Sequence, residues 1–455
     1  MWVDKPTAIL VIHGMGEQTP LETLDAFATT MLPVMETKAN GALEKHHRLL
    51  SRKTWNENYI SVFPQGQRAP SIDIYEYYWA YEAERQINAG EILDWLIKVG
   101  DLARKYYQEN SQFAEYHEEK EEKQKEERKR EKGKREKGKR VEHFGRKSLF
   151  SREKTFKKYW YLQYSGWFFR AISIFLNSID FIIGRSPAKP FNGLVSIFGR
   201  LIGDEIAKSF GDVVLYTTTD QKSRYYAVRR KILDGAVEKV RSLFTQVEPV
   251  EYENIIIVGH SLGSVVAYDT INRINHELNV GTMKSEDTNR KNVSSEDFAV
   301  KLKGLVTFGS PLDKIAFFLR DRAGKHQPIK EQIQDNFHSF RAKDWRPKDE
   351  LYKSMKLEND IKRYLDDIVW LNFFEPNDPI AGHLDFYLVD YRLDDKLRKS
   401  DLTQEDGKRA EPDFTGNIEL ETNQKTPWGA HTAYWTCKEM YERIYDQIIL
   451  QKTNK

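Results

Sequence analysis

One ten-residue stretch restricts the fold more than any other: Ile255-Ile256-Ile257-Val258-Gly259-His260-Ser261-Leu262-Gly263-Ser264. A run of branched apolar residues passes directly into a serine framed by small residues, which reads as a strand, a sharp turn and the start of a helix. In a G-x-S-x-G turn of this kind the strand and helix approach so closely that side chains at Gly259 and Gly263 would collide. Ser261 then stands exposed at the helix N-terminus. A bare G-x-S-x-G also arises by chance, so the rest of the chain has to support it.

The flanking elements do so in order. Ala8 to Ile12 is a continuous apolar run expected of a strand covered on both faces of a parallel sheet, and His13-Gly14-Met15-Gly16 follows at its C-terminal end. Leu21 to Leu32 reads as an amphipathic helix, opened by Thr19-Pro20 and closed by Pro33. Ser71 to Trp79 reads as an alternating strand and Asp212 to Tyr216 as another; Tyr226 to Phe244 is helical. After the serine come an elbow helix over Val265 to Arg273, strands over Leu302 to Phe308 and Val369 to Phe374, and a closing helix over Ala433 to Leu450. Strands alternating with helices predict an α/β architecture built on a mostly parallel, doubly wound sheet, with ligands at the strand C-terminal ends.

The chain is long enough for two or three domains, and one domain enlarged by an insertion is the preferred reading. Residues 1–83 and 206–455 are assigned to the core, and residues 84–205 to a helical cap insertion with a charged linker over 115–147. From Glu118 to Arg140 nearly every residue is Glu, Lys or Arg. Such a run is a solvated linker or, through Lys132 to Arg140, a basic contact for anionic lipid. Tyr159 to Gly184 carries a narrow polar stripe on an apolar helix, with Arg170 and Asp180 breaking any membrane span of ~20 apolar residues. With Phe191 to Phe210 it predicts two helices that bury each other or form a lid touching membrane or acyl chains, so peripheral membrane contact is assigned to residues 132–210. The 71 basic and 69 acidic residues leave a formal net charge of only +2, which gives no global field for nucleic acid. The single Cys437 and the absence of a signal-like N-terminal segment suit a cytoplasmic chain. Eleven histidines, adjacent only at His46-His47, offer no zinc-ligand spacing, and no metal or cofactor is expected.

A serine is a weak nucleophile and needs a base within reach and an acid that orients the base. Asp378, in Phe374-Glu375-Pro376-Asn377-Asp378-Pro379, follows a strand and sits between two prolines, where the acid belongs; Asp313, after the preceding strand, is the competitor. His431 opens a helix well beyond Asp378 and suits a base delivered from a separate loop, whereas His383 lies only five residues past the acid. His13 and His260 are assigned packing or loop-holding roles. The oxyanion donors are expected to be the backbone N–H groups of Leu262 and Met15, with Gly14, Gly16, Gly259 and Gly263 permitting close approach.

These stretches resemble the α/β-hydrolase superfamily, and within it the lipase-like phospholipases A1 of the DDHD-domain group. Val11 to Gly16, Gly259 to Asp269, Phe308 to Leu312 and Asn372 to Ala381 carry the resemblance, with His431-Thr432-Ala433-Tyr434-Trp435 as a fifth stretch. The resemblance implies Ser261 as nucleophile, Asp378 as acid and His431 as base, acting on a lipid or other acyl ester. It leaves the 84–204 insertion unmatched. The same residues would also serve acyl transfer to an alcohol, and a non-catalytic membrane-binding scaffold is the reading from a different class.

Overall fold

Thr7–Ile12 forms β1, buried along its whole length, and its side chains divide between two cores with the two-residue period of a strand. Ala8, Leu10 and Ile12 face one core while Ile9 and Val11 face the other. Asn254–His260 forms β5 and divides in the same way, with Ile255 and Ile257 on one side and Ile256 and Val258 on the other. Continuous apolar runs are what a strand covered on both faces requires. The structure, a computed structural model, describes residues 2–14, 18–49, 57–66, 69–83, 216, 224–246, 249–280, 294–312, 364–365, 368–378, 380–382, 384, 416–422, 424 and 427–451. All lie in one unit of the chain, Met1–Ala89 with Leu201–Lys455. The expected cap and charged linker lie outside the described residues.

The sheet has eight strands in the order β2-β3-β4-β1-β5-β6-β7-β8. Besides β1 and β5 these are β2 (Leu43–Leu49), β3 (Asn58–Pro64), β4 (Ile72–Tyr77), β6 (Leu302–Phe308), β7 (Val369–Phe374) and β8 (Asn417–Glu419). Six strands from β4 to β8 run parallel, and β3 and β2 complete the other edge antiparallel. From β1 the chain first crosses to the edge strand β2 and builds inward through β3 to β4, and then, from β5 on the opposite side of β1, it builds outward through β6, β7 and β8. The direction of the connections therefore reverses between β1 and β5, whose C-terminal ends are where open α/β sheets place their ligands. His13 and Ser261 both sit there.

Helices cover both faces, making an α/β architecture with a mostly parallel mixed sheet. On one face lies α1 (Glu22–Ala39) together with a C-terminal segment; the other carries α3 (Arg224–Thr245), α4 (Leu262–Val280) and α5 (Ser295–Lys301), with the short α2 (Ala80–Ala83) before them in sequence. The C-terminal segment runs through α6 (Pro427–Thr432), a 3-10 turn (Ala433–Thr436), α7 (Lys438–Arg443) and a π-helical turn (Ile444–Ile449). Among the described residues no helix is long and apolar enough to cross a membrane.

Three expectations are corrected here. Helix α1 does not stop at Pro33 but continues to Ala39, because Met31, Val34 and Met35 are buried and their packing outweighs the one backbone hydrogen bond that proline removes. Its N-terminus is satisfied from the sheet: the buried Glu76 carboxylate of β4 accepts the Leu21 and Thr23 N–H groups. Tyr216, the described residue of the expected 212–216 strand, is helical. Its hydroxyl instead donates to Asp269 on α4 at 3.1 Å, beside the Arg229 Nη2 to Asp269 ion pair at 3.0 Å that ties α3 to α4. Finally, the closing helix is not continuous from Ala433 but breaks at Cys437, which is extended.

Candidate active site

The strand-to-helix turn after β5 is held by three close approaches, each of which only glycine permits. A Cβ on Gly259 would lie 2.5 Å from Ser264 Cα, and one on Gly263 would lie 2.3 Å from both the Ile12 and His13 carbonyl oxygens. A Cβ on Gly14 would lie 2.7 Å from Ser261 Cβ, so the loop after β1 presses directly on the serine. Ser261 itself has φ 50°, a left-handed conformation that costs a non-glycine residue of order 1 kcal/mol. Surrounding bonds hold it there: its N–H donates to Phe308 O at 3.0 Å, and its carbonyl accepts from the Ser264 N–H and hydroxyl. The Ser264 hydroxyl also pairs with Ser310 Oγ at 2.7 Å, which links the turn to the loop after β6.

Beyond β7 the chain makes a tight turn in which Asp378 N–H donates to Glu375 O at 2.9 Å. The buried Glu375 carboxylate fixes that turn with four acceptor contacts. One oxygen takes the Asn377 backbone and side-chain N–H groups, and the other takes the Thr422 N–H and hydroxyl. Asp378 is fully buried. Its Oδ1 accepts the Ile380 N–H at 2.8 Å, while its Oδ2 faces His431.

His431, on α6, completes a line of hydrogen bonds. Its Nδ1 lies 2.9 Å from Asp378 Oδ2 and its Nε2 lies 3.0 Å from Ser261 Oγ. A carboxylate can only accept, so Nδ1 carries the proton and the Nε2 lone pair faces the serine hydroxyl. Burial pushes the Asp378 carboxyl up, but the hydrogen bond and charge of His431, the Ile380 N–H and the Tyr434 hydroxyl outweigh it and hold the group below its ordinary value. The arrangement can strip a proton from Ser261 Oγ onto a histidine whose tautomer and orientation are already set.

The structure thus brings Ser261, Asp378 and His431 together. Leu262 opens α4, where first-turn N–H groups have no acceptor within the helix. Met15, Gly16, Asp313 and His383 lie outside the described residues. The two remaining histidines have holding roles. His260 Nε2 is 3.3 Å from the His431 carbonyl, to which it donates, and its ring packs between Phe308 and Trp435. Burial lowers it to about 3, so it is neutral near pH 7. His13 Nε2 accepts the Trp79 and Ala80 N–H groups at 3.0 and 3.2 Å, and its Nδ1 donates to Gly14 O at 2.7 Å. Burial lowers it to about 4. Stacked on Trp79 at 4.6 Å, it fastens the loop after β1 to the end of β4.

Four supporting residues, Glu375, Tyr434, Gly309 and Ser310, lie in the stretches that carry the resemblance, but the sequence assigns them no role. Gly309 has φ 60°, and a Cβ there would crowd Tyr434, His431 and His260 at 3.1 to 3.3 Å. The Glu375-Pro376-Asn377-Asp378 stretch carried a turn signal, but nothing local marks its glutamate as the anchor. Among the described residues no group of three or more His, Cys, Asp or Glu is placed to hold a metal ion. Comparison with known proteins finds no matching family model, no matching curated protein and no matching solved structure.

Proposed function

We propose that the chain is a serine ester hydrolase of the α/β-hydrolase type, acting on a lipid or other acyl ester through an acyl-Ser261 intermediate. The observation that carries this reading is the unbroken line Ser261 Oγ, His431 Nε2, His431 Nδ1, Asp378 Oδ2, with links of 3.0 and 2.9 Å, at the C-terminal edge of the sheet where the direction of the connections reverses. Ser261 Oγ attacks the ester carbonyl as His431 takes its proton. The protonated ring is stabilised by Asp378 and returns the proton to the departing alcohol. Water, activated by the same histidine, then releases the acid. The Leu262 N–H, with Met15 as its expected partner, holds the oxyanion at the point where charge develops. The lipid-ester substrate class rests on the resemblance to lipase-like enzymes; a cytoplasmic location rests on the single cysteine, and peripheral membrane contact on the basic and apolar sequence of residues 132–210.

A series of p-nitrophenyl esters from short to long acyl chains tests the reading. Turnover by the native chain and its loss in Ser261→Ala, with unchanged circular dichroism, is the expected result. Turnover retained in Ser261→Ala would overturn it. Product analysis with added alcohol separates hydrolysis from acyl transfer, and liposome binding by a native chain that hydrolyses no ester would point to a scaffold.

A further inference from the structure

The carboxylate oxygen that faces the histidine has a second donor. Tyr434 Oη donates to Asp378 Oδ2 at 2.8 Å, the same atom that accepts from His431 Nδ1 at 2.9 Å. The direction of this bond is fixed by a third contact. Tyr434 Oη accepts the Glu375 N–H at 2.9 Å, which leaves its own proton for Asp378. The tyrosine ring is fully buried, packs on Phe308 at 5.8 Å, and lies where a Cβ on Gly309 would crowd it at 3.1 Å. His431 and Tyr434 are three residues apart on consecutive turns, so one short segment delivers both the base and a donor to the group that orients the base.

We propose that Tyr434 is a positioning residue that moderates the pull of Asp378 on His431 and thereby sets the pH range in which the Ser261–His431 pair is active. The proposal extends the hydrolase reading to a residue that touches no substrate. Two donors on one oxygen compete for its charge. Without the hydroxyl, Oδ2 would offer His431 its full charge, the protonated ring would be better stabilised, and the ring would release its proton less readily. The acid limb of the rate profile should then move to higher pH.

Tyr434→Phe removes the hydroxyl and keeps the ring. It also leaves the Glu375 N–H without its acceptor, so a loss of stability by itself decides nothing. Thr422→Val is the control, because it loosens the same acid-bearing turn through Glu375 without touching Oδ2. The first readout is the low-field Nδ1 proton resonance of His431 in 15N-histidine-labelled full-length protein, identified by its loss in His431→Gln. It should move downfield in Tyr434→Phe and stay in place in Thr422→Val. Should Tyr434→Phe fail to fold, 3-fluorotyrosine at position 434 donates more strongly and should move the resonance upfield. The second readout is ester hydrolysis, where the acid limb of kcat/KM in Tyr434→Phe should rise by roughly half to one pH unit with KM unchanged. A resonance unmoved by Tyr434→Phe, or moved equally by Thr422→Val, overturns the proposal. A resonance that moves as expected in a native chain inert toward esters supports the role of Tyr434 and overturns the hydrolase reading instead.

Discussion

Replacing Gly263 with alanine sets two effects of opposite sign against each other. Gly263 is the second residue of α4, and helix propensity alone favours alanine there by about 1 kcal/mol. Against this, the new Cβ would lie 2.3 Å from the carbonyl oxygens of Ile12 and His13, where ordinary contact begins at 3.4 Å, so about 1.1 Å must open. Those oxygens end β1, which is paired on both sides in the middle of the sheet and cannot retreat cheaply. Overpacking a tight interior costs ~1–3 kcal/mol, and two backbone clashes at once place this site at the upper end. The net expectation is a loss of roughly 2 kcal/mol, read as a urea midpoint lowered by about half to one molar. Ser261 lies two residues upstream, so displacement of α4 by about 1 Å should also lower ester turnover by ~100-fold. Gly41→Ala, where nothing lies within 4 Å of the added Cβ, serves as the control and should stay within ~0.5 kcal/mol of native. A Gly263→Ala midpoint at or above native would show that propensity wins, and would refute the argument from close approach.

Two further predictions concern the polar groups around the site. His13 is held near 4 in the fold against an ordinary 6.5, so on acidification the unfolded chain takes up the proton first; stability present above pH 6.5 is lost as pH falls toward 4. Between pH 7 and pH 5 the native chain should lose about 2 kcal/mol more than His13→Gln, measured by urea denaturation at both values; equal losses would contradict the clamp assigned to this ring. In Asp378→Asn a side-chain amide can turn toward His431 Nδ1 and force the proton onto Nε2, where the ring can no longer accept from Ser261. Turnover should fall by ~10³–10⁴ with the fold intact, and a fall of less than tenfold would argue against Asp378 as the orienting group.

Much of this was legible in the sequence because burial on both faces writes itself into composition. β1 and β5 carry continuous apolar runs, β6 and β7 are mostly apolar, and each was placed to within a few residues. The other edge left no such mark. β2 reads Leu-Glu-Lys-His-His-Arg-Leu, an edge strand whose side chains from Lys45 to Arg48 are exposed, and no apolar period survives there. β8 has only three residues, too few to show a pattern. Pro33 misled because propensity is local, whereas the burial of Met31, Val34 and Met35 that overrides it is tertiary. Within the site, Ser261, Asp378 and His431 were found through motif and chain order. Glu375, Tyr434 and Ser310 act through partners 46 to 59 residues away in sequence, and such pairings become visible only once the chain is folded.

The most direct test of an activated serine is covalent labelling with a fluorophosphonate probe, with the modified residue mapped by peptide mass spectrometry. A single adduct on Ser261 is expected, absent in Ser261→Ala and formed far more slowly in His431→Gln. An adduct on another residue, or equal labelling of the native chain and Ser261→Ala, would contradict it.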